Sequence, residues 1–175
     1  PIRRSIFATL LLIAPLWAEG RWCNPFKGDL PAASTPLIAT RAAGEMIATQ
    51  LLFAFTNHSI RNVDYGQISF ATMRQNLRDG WMWDQNNFVV NHIGHPYQGS
   101  LYYSAARGQG LSFLSASLNT LAGSITWELF MEKEAPSKND LIATSIGGIS
   151  FGEILLRLSQ HAFARGDQAG AAVGT

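Results

Sequence analysis

The chain has 175 residues, a length that suits one domain or one domain with an appendage. Thirteen Lys and Arg against twelve Asp and Glu give a net charge of +1, and only 14% of the residues are charged. This composition argues against nucleic-acid binding, the many Trp, Tyr and Phe argue against disorder, and a single cysteine rules out an internal disulfide or a Cys-based zinc site.

The first twenty residues have the pattern of a secretory signal. Arg3 and Arg4 precede a short apolar run from Ile6 to Trp17, and small and polar residues follow it. The run is shorter than the roughly 20 residues of a comfortable membrane span. We therefore predict an export signal over residues 1–20, with an N-terminal anchor or a buried first helix as alternatives.

Apolar spacing and capping residues predict an all-α fold, a bundle of about five helices over residues 21–163. The predicted helices are Pro36–Asn57, Tyr65–Leu77, Tyr97–Arg107, Leu111–Met131 and Lys138–His161. We expect an irregular segment from Trp81 to Pro96, because proline disfavours helical backbone at the preceding residue. No convincing strand pattern is present. The Gly- and Ala-rich end, 164–175, is predicted to be a flexible tail or linker.

The last two predicted helices carry small residues at spacings of three and four. Gly147, Gly148 and Gly152 are locally unfavourable in a helix, at about 1 kcal/mol each relative to alanine, so a close helix contact is expected in return. Residues 111–127 contain no charge, which is close to the lower length limit for a membrane span. The pattern fits either a membrane-associated bundle or a water-soluble one.

The densest polar stretch is Asn91–Ser100, which contains His92 and His95. Together with Glu128 and Asp140 the two imidazoles could bind a metal or carry acid–base catalysis, whereas a His before Pro in a polar turn more often fixes a loop by hydrogen bonds. These four residues are the catalytic candidates. We predict no metal and no cofactor.

Glu128 lies in an otherwise uncharged helix, and a buried carboxylate needs a partner. Arg107 is the nearest candidate, so we predict a buried Arg107–Glu128 pair. Ser137 and Asp140 have the spacing of a capping box, which gives Asp140 a structural explanation. Glu153 and Arg157 are four residues apart and should pair. The predicted binding or structural polar cluster comprises Asp84, Asn91, Tyr97, Ser100, Arg107, Ser137, Glu153 and Arg157.

The motifs between Trp83 and Arg157 resemble the bacterial family called domain of unknown function 3943. They include Trp83-Asp84, Gly94-His95-Pro96-Tyr97-Gln98-Gly99-Ser100, Trp127-Glu128, Pro136-Ser137 and Gly147-Gly148. The resemblance implies exported proteins of Gram-negative bacteria, often with a barrel-like region after the helical part, and no established activity. A shorter arrangement of His95, Glu128, Ser137, Asp140 and the Gly148–Gly152 spacing is similar to VanZ-like membrane proteins.

Three hypotheses for function follow. The first is a structural or interaction module of the cell envelope, in the periplasm or at the outer membrane, which docks on membrane lipid or on a following C-terminal barrel domain. The second is an enzyme that modifies an envelope lipid or cell-wall precursor, with His92 or His95, Glu128 and Asp140 converging. The third is a lipid- or small-ligand-binding module. The sequence does not define the oligomeric state.

Overall fold

A computed structural model describes residues 35–85 and 88–173 of the chain, so the predicted export signal lies outside the described residues. Helix α1 spans Thr35–Phe55 and continues into a π-helical turn, Thr56–Ile60. Pro36 lies in its first turn, where the missing N–H has no intrahelical acceptor to lose. The prediction of this helix is confirmed.

Helix α2 spans Phe70–Asp79 and follows a short 3-10 turn at Asp64–Gly66. The predicted start at Tyr65 was too early because a capping box fixes the start of the helix at Ser69. The Ser69 hydroxyl accepts the Thr72 N–H at 3.2 Å, and the Thr72 hydroxyl accepts the Ser69 N–H at 2.9 Å.

Helix α3 spans His95–Gly108, and a π-helical turn at Val90–Gly94 leads directly into it. The prediction of irregular backbone up to Pro96 was therefore wrong over its last residues. Proline lacks an N–H and its ring clashes with the preceding turn of an α-helix. The wider turn, closed by the His95 N–H on the Val90 carbonyl, accommodates Pro96 without ending the helix.

Helix α4 spans Phe113–Phe130 and is capped by Ser112, whose hydroxyl accepts the Ser115 N–H. Helix α5 consists of Lys138–Ile142 and Gly148–Val173, joined by a π-helical turn at Ala143–Gly147. Both agree with the prediction. Helical backbone continues to Val173, into the stretch predicted as a tail.

Helix α3 lies between α4 and α5, and glycines of both neighbours face it. A Cβ placed on Gly148 would lie 2.5 Å from the Gly99 backbone, and one placed on Gly152 would lie 2.7 Å from the Tyr103 ring. On α4, a Cβ on Gly123 would lie 2.6 Å from the Tyr102 ring. The sequence indicated close helix packing correctly, but the closest backbone approach joins α5 to α3.

No strand occurs in residues 35–85 and 88–173, so the all-α fold is confirmed. An isolated parallel bridge ties the segment before α3 to the start of α5. The Met82 N–H donates to the Pro136 carbonyl at 2.9 Å, and the Lys138 N–H donates to the Met82 carbonyl at 2.7 Å. This bridge brings Asp84 next to the first turn of α5.

Candidate functional site

Three chain segments converge where α3 begins. Helix α4 runs antiparallel to α3, since Asn119 bonds to the Tyr102 carbonyl while Glu128, nine residues later, lies beside His95. Helix α5 runs parallel to α3, since Thr144 contacts His95 and Gly152 contacts Tyr103. The start of α3, the end of α4 and the start of α5 therefore meet.

The meeting point is a group of buried and half-buried residues that we call the His95 cluster: Asp84, His95, Glu128, Ser137, Asn139, Asp140 and Thr144. His95, Glu128 and Asp140 are only 5%, 1% and 0% exposed. One ligand-type atom from each of these three lies within 4.8 Å of the other two. Three of the four catalytic candidates are thus brought together, in a place sealed from bulk solvent.

Both ring nitrogens of His95 lie next to a polar side chain. Its Nδ1 lies 3.0 Å from the Thr144 hydroxyl, and its Nε2 lies 3.4 Å from Asp140 Oδ2. Burial lowers the pKa of His95 to about 4, although the charge of Asp84 opposes the shift. The imidazole is therefore neutral at physiological pH.

Glu128 interacts with the cap of α5 and not with an arginine. Its Oε2 accepts the Ser137 N–H at 2.9 Å, while its Oε1 is buried and has no hydrogen-bond partner. Burial, together with the charges of Glu132, Asp140 and Asp84, raises the pKa of Glu128 to about 9. Glu128 therefore carries a proton at neutral pH, unless a cation takes the place of that proton.

Only half of the predicted capping box exists. The Ser137 hydroxyl accepts the Asp140 N–H at 3.2 Å, as predicted. The reciprocal bond is absent, because the Ser137 N–H is already donated to Glu128. The Asp140 carboxylate faces His95 and Asn139 instead, so the cap does not explain it.

Asn139 connects the carboxylates of the cluster. Its amide nitrogen donates to Asp84 Oδ1 and, at 3.2 Å, to Asp140 Oδ1. Its amide oxygen accepts the Asp84 N–H at 3.0 Å and the Ser137 hydroxyl at 2.9 Å. All four hydrogen bonds stay within the cluster, so Asn139 fixes the segment before α3 to the start of α5.

The predicted Arg107–Glu128 pair was wrong, because the two residues lie at opposite ends of antiparallel helices. Arg107 is at the far end of α3 from His95, about 18 Å along the axis at roughly 1.5 Å per residue. Its Nε lies 3.6 Å from Glu153 Oε2, and its guanidinium donates to the Leu111 carbonyl.

A second polar group, the Glu153 cluster, consists of Tyr103, Arg107, Glu153 and Arg157. The Tyr103 hydroxyl donates to Glu153 Oε2 at 2.6 Å, and Arg157 pairs with Glu153 Oε1 at 2.8 Å, as the spacing predicts. The single polar cluster expected from the sequence is thus divided between the two ends of the α3–α5 contact.

The remaining predicted residues, His92, Ser100, Tyr97 and Asn91, are not members of either cluster as defined. His92 is exposed and stacks on Phe88, with ring centroids 4.3 Å apart. The Ser100 hydroxyl is buried and donates to the Tyr97 carbonyl in its own helix, at 2.6 Å. Asn91 is half-buried and lines a groove with His92.

This groove is an open depression of about 510 Å³ beside the His95 cluster. Trp83, Pro96, Asn139 and Ile146 also line it. Asn139 is the member of the cluster that reaches the groove, while His95, Glu128 and Asp140 are not part of its lining. The Asn139 side chain therefore separates the groove from the carboxyl groups of Glu128 and Asp140.

Sequence reasoning missed Asn139, Thr144 and Glu132. Glu132 lies just beyond α4, and its Oε1 accepts the Trp127 indole N–H at 2.6 Å. Burial raises the pKa of Glu132 to about 7, although this bond opposes the shift. An amide and a hydroxyl in a helix carry no distinctive signal, but the Trp-Glu-(x)3-Glu spacing at the end of an uncharged helix could have identified Glu132.

Glu132→Gln should reduce the loss of stability at alkaline pH. Between about pH 5 and 7 folded Glu132 keeps a proton that the unfolded chain has released, so stability falls as pH rises through this window. The glutamine removes this contribution and still accepts the Trp127 bond. In thermal melts with chelator we expect no gain at about pH 4.5 and a gain on the order of 1 kcal/mol at about pH 8, or roughly 2–4 °C.

The control for this prediction is Glu134→Gln, because Glu134 is exposed. That variant should follow the wild-type chain at both pH values. An equal effect of Glu132→Gln under acidic and alkaline conditions would contradict the assignment.

Fold and site together define an all-α domain with a buried His–carboxylate cluster between three of its helices. A family model described as domain of unknown function (DUF3943) matches residues 80–173, just over half of the chain, and the chain belongs to that family. The matched range contains the whole His95 cluster. No curated protein and no solved structure matches the chain.

Proposed function

We propose that this chain is a helical module of the cell envelope that docks on membrane lipid through apolar stripes on its outer surface. The observation that carries the proposal is an inverted distribution of polarity. Among the described residues, fourteen polar or charged side chains are buried against ten apolar ones, while twenty-four large apolar side chains are exposed. A domain surrounded by water buries most of its large apolar side chains and exposes most of its polar ones.

Each of three helices has an exposed apolar stripe at helical spacing. Exposed apolar side chains recur every four residues on α1, at Ile47, Leu51 and Phe55. Helix α4 exposes Leu114, Leu118 and Leu121, and on α5 the stripe consists of Phe151, Ile154, Leu155 and Leu158. Exposed apolar stripes of this size are typical of a surface that another apolar phase covers.

Lipid fits this surface better than water does, because charge is sparse on α1 and α4, where only Arg41, Glu45 and Glu128 are charged. Helix α4 contains no charged residue before Glu128, although its outer face is exposed. One helix in the described part, Lys138–Phe163, is long and apolar enough to cross a membrane, and only 22% of its most apolar window is buried. Close contacts through glycine are also the packing mode of helices in lipid.

The geometry favours this role over the enzyme hypothesis. His95, Glu128 and Asp140 converge as that hypothesis requires, but they are closed off and the groove stops at Asn139. A substrate therefore has no contact with the three side chains in this conformation.

The test is flotation of the purified chain with phosphatidylethanolamine–phosphatidylglycerol vesicles. We expect the wild-type chain to float with the lipid. The double variant Leu118→Lys, Leu155→Lys should lower the bound fraction at least about tenfold, since a lysine facing hydrocarbon costs up to roughly 3 kcal/mol.

Gln75→Lys is the control, because it adds a lysine, and half of the charge that the double variant adds, at an exposed site on α2, outside the three stripes. It should float like the wild-type chain. Wild-type protein that stays in the aqueous fraction would contradict the proposal. So would a lipid-free dimer that the double variant dissociates, because the stripes would then bind a second copy.

A further inference from the structure

We propose that His95, Glu128 and Asp140 form a binding site for a divalent first-row transition-metal cation, with Zn²⁺ as the best match. The sequence favoured a hydrogen-bonding role over a metal-binding role for these residues, whereas the geometry favours metal binding. The three supply one imidazole nitrogen and two carboxylate oxygens, a donor set that zinc uses in proteins.

The spacing of the donor atoms fits a shared cation better than a direct contact. His95 Nε2 and Asp140 Oδ2 are 3.4 Å apart, beyond the usual range of about 2.7–3.2 Å for a hydrogen bond. Two ligands that each lie about 2.1 Å from a tetrahedral ion are separated by about 3.4 Å. The Glu128 ligand atom lies within 4.8 Å of both, close enough for its flexible side chain to complete the set.

Each of the three side chains is also oriented by its other polar atom. Thr144 holds His95 Nδ1, the Ser137 N–H holds Glu128 Oε2, and the Asn139 amide holds Asp140 Oδ1. Such outer hydrogen bonds orient metal ligands and fix the histidine tautomer. The tautomer that donates an Nδ1 proton to Thr144 directs the Nε2 lone pair toward the carboxylates.

An independent observation points to a ligand at this position. Glu128 is only 1% exposed, and its Oε1 has no hydrogen-bond partner. No lysine or arginine among the described residues pairs with Glu128. A buried polar atom without a partner is costly, and a cation between Oε1, Nε2 and Oδ2 satisfies it.

The site would join three helices at one point. His95 is on α3, Glu128 is on α4 and Asp140 is on α5, so a bound ion stabilises the folded arrangement of all three. Three protein ligands leave one position of a tetrahedral ion for water.

The experiment is isothermal titration calorimetry of Zn²⁺ into the chelator-treated full chain. We expect one ion per chain with sub-micromolar affinity. Glu128→Gln and Asp140→Asn keep the size of the side chains and their outer hydrogen-bond acceptors, and each should weaken binding at least about 100-fold. Circular dichroism checks that each variant is folded.

Two control variants separate this site from surface binding. Glu153→Gln removes a carboxylate from the other polar cluster on α5, and His92→Ala removes an exposed imidazole from the groove beside the His95 cluster. Both should keep the wild-type affinity within about twofold. Millimolar Mg²⁺ should not displace Zn²⁺, because Mg²⁺ prefers all-oxygen ligands.

Three results would overturn the site. These are no stoichiometric Zn²⁺ binding, binding that survives both Glu128→Gln and Asp140→Asn in folded protein, or binding lost in His92→Ala. If a ligand variant fails to fold, the melting temperature of the wild-type chain decides instead. It should rise by several degrees with Zn²⁺ and stay unchanged with Mg²⁺ if the site exists.

Discussion

Gly99→Ala should destroy the native contact between α3 and α5. A Cβ at this position would lie 1.9 Å from the Thr144 carbonyl oxygen and 2.8 Å from the Thr144 carbonyl carbon. Both atoms belong to the backbone of the neighbouring helix, so no side chain can rotate to make room. Overpacking commonly costs about 1–3 kcal/mol, and we expect more than about 3 kcal/mol here, a large share of typical domain stability.

Thermal denaturation followed by circular dichroism measures this effect, and near-ultraviolet signals from buried Trp127 report on packing. Gly44→Ala is the control, because Gly44 lies inside α1 and an added Cβ there would have open space within 4 Å. It should raise stability by up to about 1 kcal/mol through helix propensity alone. A Gly99→Ala variant that melts within about 2 °C of wild type, by the roughly 2–4 °C per kcal/mol expected for this size, would contradict the contact.

Asn139→Asp should be more destabilising than Asn139→Ala. The Asn139 amide nitrogen donates to the carboxylates of Asp84 and Asp140. Aspartate replaces that donor with an oxygen of a third carboxylate. Alanine removes the same hydrogen bonds without adding charge. In chelator at neutral pH we expect a loss on the order of 3 kcal/mol for the aspartate and about 1–2 kcal/mol for the alanine.

Urea unfolding of the two variants measures the difference. The order of the two is the diagnostic quantity, since aspartate is closer than alanine to asparagine in size and shape. An aspartate variant as stable as the alanine variant would show that Asn139 does not lie between two carboxylates.

The helices were largely predictable because their boundaries are encoded locally. Ser112 and Ser137 cap the helices that follow them, and the uncharged run after Leu111 has the length of one helix. Ser69 is an equally good cap, but the apolar spacing extended the prediction beyond it toward Tyr65. Pro96 misled the prediction because a widened turn removes the clash that proline causes in a regular helix.

The three converging residues of the candidate site were predictable, whereas their pairing and the residues that orient them were not. His95, Glu128 and Asp140 stand out because imidazoles and carboxylates are rare in such a charge-poor chain. Their partners depend on helix direction, which the sequence does not specify. The antiparallel direction of α3 and α4 places Glu128 beside His95, and Arg107 pairs with Glu153 instead.

The π-helical turn at Ala143–Gly147 sets the phase of α5. In a regular α-helix, residues as far apart as Asp140 and Gly152 are rotated by about 120° around the axis, so they would face different neighbours. The wider turn rotates less per residue, and both Asp140 and Gly152 reach α3, at His95 and Tyr103. The number of residues in this turn is therefore constrained as well as the identity of Thr144, because Asp140 and Gly152 face α3 together only while that number is kept.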